Sequence, residues 1–296
     1  MTSADEAAAS DIFSGFNPCS APPEAGYFFD FLGTKTRTEY LPESCAWLSG
    51  HVFGFPKPNG TILHEFEEWQ GVMAAVKEAR RSFVCVELGA GWGPWLMSSY
   101  FAARHLGISD ILLVGVEADA TNIEFMKTHF ADNRVDPRQH KIINAAVDER
   151  NAGASPSHPG GAPMISLNTL LSGLPVVDLI HCDIQFAESK AFAAGIDAVT
   201  NRVRRVVIGT HSRKIEDELI ETFHSRLWRL EHETACKYRI EDGMAYLYAD
   251  GVQVWRNSQE PGASVIAQIP PVHRYHVQRI LSGIKRRSRR MLARLS

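Results

Sequence analysis

The sequence predicts an α/β fold: a doubly wound, mostly parallel sheet of seven strands, layered between helices and ending in an antiparallel hairpin. Three observations carry this prediction. Short apolar runs rich in β-branched residues alternate with helix-forming segments from Phe83 to Arg226. The first of these runs stops on a glycine-rich turn, Glu87-Leu-Gly-Ala-Gly-Trp-Gly93. The last folds back through Asp250-Gly251, a dipeptide suited to a tight hairpin.

The glycine turn organises the rest. Phe83–Val86 reads as a buried strand ended by Glu87, and Gly89, Gly91 and Gly93 permit a backbone turn where side chains would obstruct a ligand. Ala90 and Trp92 lie between them. Pro94 suits a first helical turn, and a helix over 94–106 points its free N–H groups at the turn. The result is a nucleotide crevice. A dinucleotide fingerprint, Gly-x-Gly-x-x-Gly, requires glycine or alanine at position 94, which is proline. A phosphate loop requires Gly-Lys-Ser/Thr after the turn, and none follows.

In chain order, residues 1–20 read as a mobile tail. Residues 21–80 form a cap: an irregular aromatic stretch over 21–60, read as a substrate lid or a surface wrap, then a helix over 62–80 on Ile62, Phe66, Trp69, Met73 and Val76. A domain over 81–258 follows. The strand Ile111–Val116 delivers Glu117 to its end, where a carboxylate can accept hydrogen bonds from two ribose hydroxyls. After a helix over 121–132, the strand Lys141–Val147 ends in Ala145 and Ala146, small enough for an adenine ring to lie against the backbone. A loop covers 153–163, and Ser166 starts a short helix that stops near Gly173. The strand Val176–Cys182 delivers Asp183 to the same rim, and after a helix over 188–200 the strand Val203–Ile208 delivers His211. A helix over 215–226, a strand-rich stretch over 228–238 and the hairpin Ala245–Trp255 complete the sheet.

Glu-x-Gly-x-Gly-x-Gly at 87–93 resembles motif I of class I S-adenosyl-L-methionine-dependent methyltransferases, whose sheet is Rossmann-like. Asp183-Ile-Gln-Phe-Ala-Glu188, placed after the fourth strand, resembles the Asp-(Ile/Val)-(Glu/Gln)-Gly-x-Glu motif of the FkbM family within that class. The resemblance spans residues 83–256 and departs at Phe186, where that family usually has glycine. It implies S-adenosyl-L-methionine as cofactor, held by Glu87, Gly89, Ala90, Gly91, Trp92, Gly93, Glu117, Ala145, Ala146 and Asp183. It also implies methylation of a hydroxyl on a saccharide, glycan or polyketide-like acceptor. Removing the hydroxyl proton falls to His211 as base, with Asp183 orienting it or holding the hydroxyl. A divalent metal, Mg²⁺ or Mn²⁺, is not predicted; if one is used, Asp183, Glu188 and His211 supply its ligands. His181 lies within its strand and reads as a core histidine. Two rival classes are a non-catalytic binding module and an NAD-dependent oxidoreductase.

Composition sets the outer bounds. A hydrophobic fraction of 45% with 22% charged residues is that of a globular protein in water. No apolar run approaches a membrane span and no signal peptide opens the chain, so the expected location is cytoplasmic. The five cysteines lack metal or redox spacing and read as reduced thiols. After Glu260 the chain has eight basic residues and no acidic one; the remainder carries 23 basic against 34 acidic residues and does not attract nucleic acid. Residues 259–296 read as a linker and a basic amphipathic helix, its 272–296 portion suited to the anionic inner face of a membrane or to an oligomer contact.

Overall fold

A computed structural model describes residues 12–58, 63–148, 161–259 and 261. The expected basic helix over 272–296 and most of the 153–163 loop lie outside these residues, as does Ile62.

The chain begins with a small antiparallel pair, β1 (Tyr27–Phe29) and β2 (Lys35–Arg37), followed by two short 3-10 turns and helix α1 (Phe66–Glu78). Then β3 (Ser82–Leu88), α2 (Pro94–His105), β4 (Asp110–Glu117), α3 (Ala120–Asp132) and β5 (His140–Asn144) follow in strict alternation. Two residue-pair strands, β6 (Ala146–Val147) and β7 (Met164–Ile165), precede α4 (Leu167–Ser172), β8 (Val177–Cys182), α5 (Glu188–Arg202), β9 (Val203–Thr210) and α6 (Arg213–His224). The chain closes with β10 (Arg229–Thr234), β11 (Lys237–Glu241), β12 (Met244–Ala249) and β13 (Gly251–Arg256).

The main sheet has seven strands in the order β10-β13-β9-β8-β3-β4-β5. The five from β9 to β5 are parallel, and β13 runs antiparallel between β9 and β10. This is the predicted fold class. Strand order reverses at β3, so the carboxyl ends of β3, β4 and β8 flank one crevice.

Alternate residues of β3 bury into opposite layers. Phe83 and Cys85 join a core with α1, α2 and the N-terminal segment, whereas Val84, Val86 and Leu88 join one with α4, α5 and α6. A strand buried on both faces reads as a continuous apolar run, as the sequence has it. The helices start where side chains satisfy their first N–H groups: Asp119 accepts from Thr121 and Asn122, and Ser212 from Ile215. On α1, Glu65 and Glu68 form a capping box, which sets the start at Phe66 rather than Ile62.

Three expectations need correction. The hairpin over 245–255 does not exist as one: β13 pairs with β9 and β10, and β12 pairs with β11 in a separate ribbon. That ribbon turns at Asp242 (φ 50°) and Gly243 (φ 78°), the backbone signature of a tight hairpin turn. Gly251 serves packing instead, since a Cβ there would lie 2.4 Å from Thr210 Oγ1 and 2.8 Å from the Cys236 amide nitrogen. The strand over 141–147 splits after Asn144, because Ala145 N–H bonds Glu117 O while Ala146 turns away to pair with Met164. Nor are residues 12–20 all free tail, since Phe13 and Phe16 pack edge-on against Phe31 in the core.

Candidate functional site

The three alternating glycines do different work. A Cβ on Gly89 (φ +67°) would lie 2.0 Å from the carbonyl oxygen of Asp183, so its missing side chain lets β3 and β8 end side by side. On Gly93 (φ +76°) it would meet Met126 at 3.2 Å. On Gly91 (φ +53°) it would meet nothing within 4 Å. Gly91 is therefore the turn residue that opens onto free space. Both Gly89 and Ala90 donate their N–H to Val116 O, which fixes the turn to β4.

Glu117 lies beside that opening, 8% exposed. Its Oε2 accepts from Gly91 N–H at 2.7 Å and its Oε1 from Asp119 N–H at 2.8 Å. Each oxygen keeps a second lone pair for a ligand hydroxyl. Glu87 points elsewhere. At 2% exposed, it accepts from the N–H groups of Trp95 (3.4 Å) and Leu96 (3.0 Å) and so caps α2. Burial pushes its carboxyl up to about 7, against the pull of nearby His181 and those two N–H groups. Ala145 and Ala146 are buried beside the end of β4, at 4% and 9% exposure. The Trp92 carbonyl bonds His129 Nδ1 at 2.9 Å, and its indole Nε1 is buried without a partner. Trp95 is core, packed between Trp69 and His181.

The second half of the rim comes from β8 and β9. Asp183 N–H bonds Leu88 O, and its side chain is 46% exposed. His211 is 5% exposed and both its nitrogens are engaged: Nε2 lies 3.2 Å from Asp183 Oδ1 and Nδ1 lies 2.8 Å from Glu188 Oε1. Burial lowers its pKa, but the bonds and charges of Asp183 and Glu188 outweigh burial and raise it to about 10. Burial in turn pushes Asp183 upward, and His211 more than reverses this, holding it below the ordinary carboxylate value. His211 sits between two carboxylates that favour its charged form, with the Gln185 amide nitrogen also 3.0 Å from its Nε2, and of these groups Asp183 reaches the open side.

Gln185 and Phe186 adopt left-handed backbone (φ 51° and 73°), a conformation that favours glycine. The Phe186 ring is 60% exposed with its centroid 5.3 Å from that of His211. His181 is a core histidine as expected, bonded through Nε2 to Glu68 at 3.0 Å.

Candidate ligand atoms of Asp183, Glu188 and His211 lie within 4.8 Å of one another. These residues fit a divalent cation poorly, because both imidazole nitrogens already hold carboxylates and a metal would have to displace one of those protons. S-adenosyl-L-methionine fits better. The open space at Gly91, the spare lone pairs of Glu117 and the small buried alanines are the features such a nucleoside requires.

One feature goes beyond the lid or wrap expected of residues 21–60. A cavity of about 450 Å³ lies between the N-terminal segment and the start of α2, bordering the turn at Trp92 and Pro94. Asp30, Thr34 and Ser98 line it, and no local motif announces them. The only cue is Asp30-Phe-Leu-Gly-Thr34, in which Asp30 Oδ1 accepts from the N–H groups of Leu32 and Thr34.

No family model matches the chain. A protein from Jannaschia sp. (strain CCS1), named "Putative methyltransferase", is 30% identical over 275 residues, covering 83% of this chain and 98% of that one. Among solved structures, a precorrin 8W decarboxylase of Methanobacterium thermoautotrophicum aligns with 68% of this chain and 95% of its own, at 11% identity and a TM-score of 0.42. An S-adenosylmethionine-dependent O-methyltransferase of Thermotoga maritima aligns over 69% of each chain, at 10% identity and a TM-score of 0.41. Among the described residues no helix is long and apolar enough to cross a membrane.

Proposed function

The chain belongs to the methyltransferase family of its Jannaschia relative, and from that premise we propose that it is an S-adenosyl-L-methionine-dependent O-methyltransferase of FkbM type, acting on a hydroxyl of a saccharide, glycan or related natural product. One observation carries this reading: the turn at Gly91 with Glu117 and the half-exposed Asp183 carboxylate stand on one rim, delivered by adjacent strands β4, β3 and β8. The hydroxyl acceptor rests on the Asp183–Glu188 motif and on that carboxylate.

When bound, the cofactor supplies an electrophilic methyl group. Glu117 holds the ribose through its spare lone pairs, and Gly91 admits the nucleoside to the turn. Asp183 accepts the hydrogen bond of the acceptor hydroxyl and would take its proton as the methyl group passes to that oxygen, the sulfur–methyl bond breaking to leave S-adenosylhomocysteine, a neutral thioether. A weak base suffices there, because the oxygen becomes strongly acidic as it is alkylated. His211 is a positioning residue: its Nε2–H fixes the Asp183 carboxylate and Glu188 fixes the ring in turn. No divalent cation has a part in this scheme.

The test is Asp183→Asn assayed with labelled cofactor against a panel of saccharide acceptors. Expected is a fall in kcat of about 10²- to 10⁴-fold, the usual worth of a positioned base, with cofactor affinity changed little. Turnover within twofold of wild type would remove Asp183 from the chemistry. Absence of turnover by the wild-type enzyme on every saccharide, with turnover on another hydroxyl compound, would reject the acceptor class alone.

A further inference from the structure

The cavity under the N-terminal segment has an unusual lining. Six aromatic side chains wall it: Phe28, Phe31, Phe53, Phe55, Trp69 and Trp92. They come from β1 and the stretch after it, the start of α1 and the turn before α2, so the cavity exists only because the N-terminal segment is folded against the sheet layer. Its volume of about 450 Å³ is that of a small-molecule site. None of Gly91, Glu117, Asp183 or His211 lines it.

Its charge is the informative part. Asp30 lines the wall, its Oδ1 held by the N–H groups of Leu32 and Thr34 and its Oδ2 by the Ser98 hydroxyl at 2.9 Å. These are all neutral donors. Among the described residues no lysine, arginine or histidine nitrogen lies within ion-pair distance of it. The one lining histidine, His64, does not supply the charge, because burial holds its pKa below the ordinary value. Burial also pushes the Asp30 carboxyl above its ordinary range, against the hydrogen bonds of Thr34, Ser98 and Leu32. A bound cation relieves that cost. Aromatic faces likewise attract cations, and a carboxylate inside an aromatic box is the arrangement that recognises an organic ammonium group. Lys57, exposed, marks the open side, so the part of the ligand that emerges is neutral or anionic.

We propose that this cavity binds the ammonium group of an amine-bearing acceptor, enclosed by the aromatic walls and paired with Asp30. The assignment rests on the methyltransferase reading only in calling the ligand an acceptor; the cation preference stands on the cavity itself. Trp92 and Pro94, which line it, belong to the glycine turn and the start of α2, so the cavity adjoins the turn.

The test uses the full chain and two probes of one shape, choline and its uncharged counterpart 3,3-dimethylbutan-1-ol, titrated by calorimetry with and without S-adenosylhomocysteine. Choline is expected to bind at least tenfold more tightly than the alcohol and to persist at saturating S-adenosylhomocysteine. Asp30→Asn, which keeps an oxygen for Leu32 and Thr34, is expected to erase the tenfold preference. Should that variant fail to fold by circular dichroism, Phe53→Leu takes its place: it removes one ring and is expected to weaken choline severalfold while sparing the alcohol. Equal binding of the two probes, binding of neither, or displacement of choline by S-adenosylhomocysteine would each overturn the proposal. Failure of S-adenosylhomocysteine itself to bind would instead count against the methyltransferase reading, so the two failures are distinguishable.

Discussion

Two spaces meet at Trp92, the opening at Gly91 and the aromatic cavity, and they are held by different kinds of force. On the turn side the backbone is fixed by ladder-type bonds: Gly89 and Ala90 to Val116, Asp183 to Leu88, Ala145 to Glu117. On the cavity side the walls are side chains from segments distant in sequence, joined by bonds such as Ser98 to Asp30 and Lys35 N–H to Asn133. The first space is a by-product of closing a parallel sheet. The second depends on how an aromatic segment happens to pack. The turn is thus set by the sheet's own backbone bonds, and the cavity by which rings its segments carry.

The sharpest way to break this comparison is a pair of glycine substitutions. Gly89→Ala places a methyl group 2.0 Å from a carbonyl oxygen, in backbone of positive φ, and neither neighbour can yield without parting β3 from β8. It should cost several kcal/mol, roughly the upper range for single substitutions, seen as a large drop in Tm. Gly91→Ala meets nothing within 4 Å and should cost only the ~1 kcal/mol of a left-handed alanine, yet weaken cofactor binding by calorimetry. Equal stability losses would mean that the turn is not divided between packing and binding.

A smaller effect separates the rim from the turn. With His211 raised to about 10, kcat/KM should stay level through pH 6 to 8 and decline only as the pH approaches that value. The same shift has a stability sign. A histidine whose pKa is raised in the folded state contributes stability that is fully present below its unfolded value of ~6.5 and is lost as pH rises through about 10. The Tm gap between wild type and His211→Asn should therefore narrow over that interval. A rate that instead rises with a pKa near 6.5 would restore His211 as a neutral base.

A change confined to cofactor affinity is expected at Glu117. Glu117→Gln keeps an acceptor for Gly91 or Asp119 and loses a charge-assisted bond to the ribose, worth about 1.5–3 kcal/mol, or roughly ten- to a hundredfold in cofactor affinity. Unchanged affinity would place the ribose away from the end of β4.

What the sequence made legible follows the same division. The strands from Phe83 to Thr210 are short apolar runs with chemistry-bearing residues at their ends, so Glu117, Asp183 and His211 could be placed on one rim from spacing alone. The roles were not legible. Whether Glu87 faces a ligand or caps α2 depends on a rotamer, and whether His211 is free or clasped depends on Glu188, 23 positions earlier in the chain. The aromatic stretch over 21–60 was legible as a lid or wrap, but Asp30 within it was not, because its partner Ser98 lies 68 residues away and no periodicity connects them. The misplaced hairpin shows the limit of a turn dipeptide as a cue. Asp250-Gly251 and Asp242-Gly243 are both Asp-Gly, and only the second has both residues in left-handed backbone.

The β11–β12 ribbon has a topological consequence. The chain leaves the sheet after β10, runs out and back through strands that pair only with each other, and re-enters as β13. Tyr246, Tyr248, Ile240 and Met244 on it are exposed, while β13 is almost wholly buried between β9 and β10. A cut at Asp242–Gly243 would therefore divide the polypeptide in two without severing a hydrogen bond of the main sheet. The sheet's one internal antiparallel strand would then belong to a second chain, joined to the first through its pairing with β9 and β10 and through that of β12 with β11.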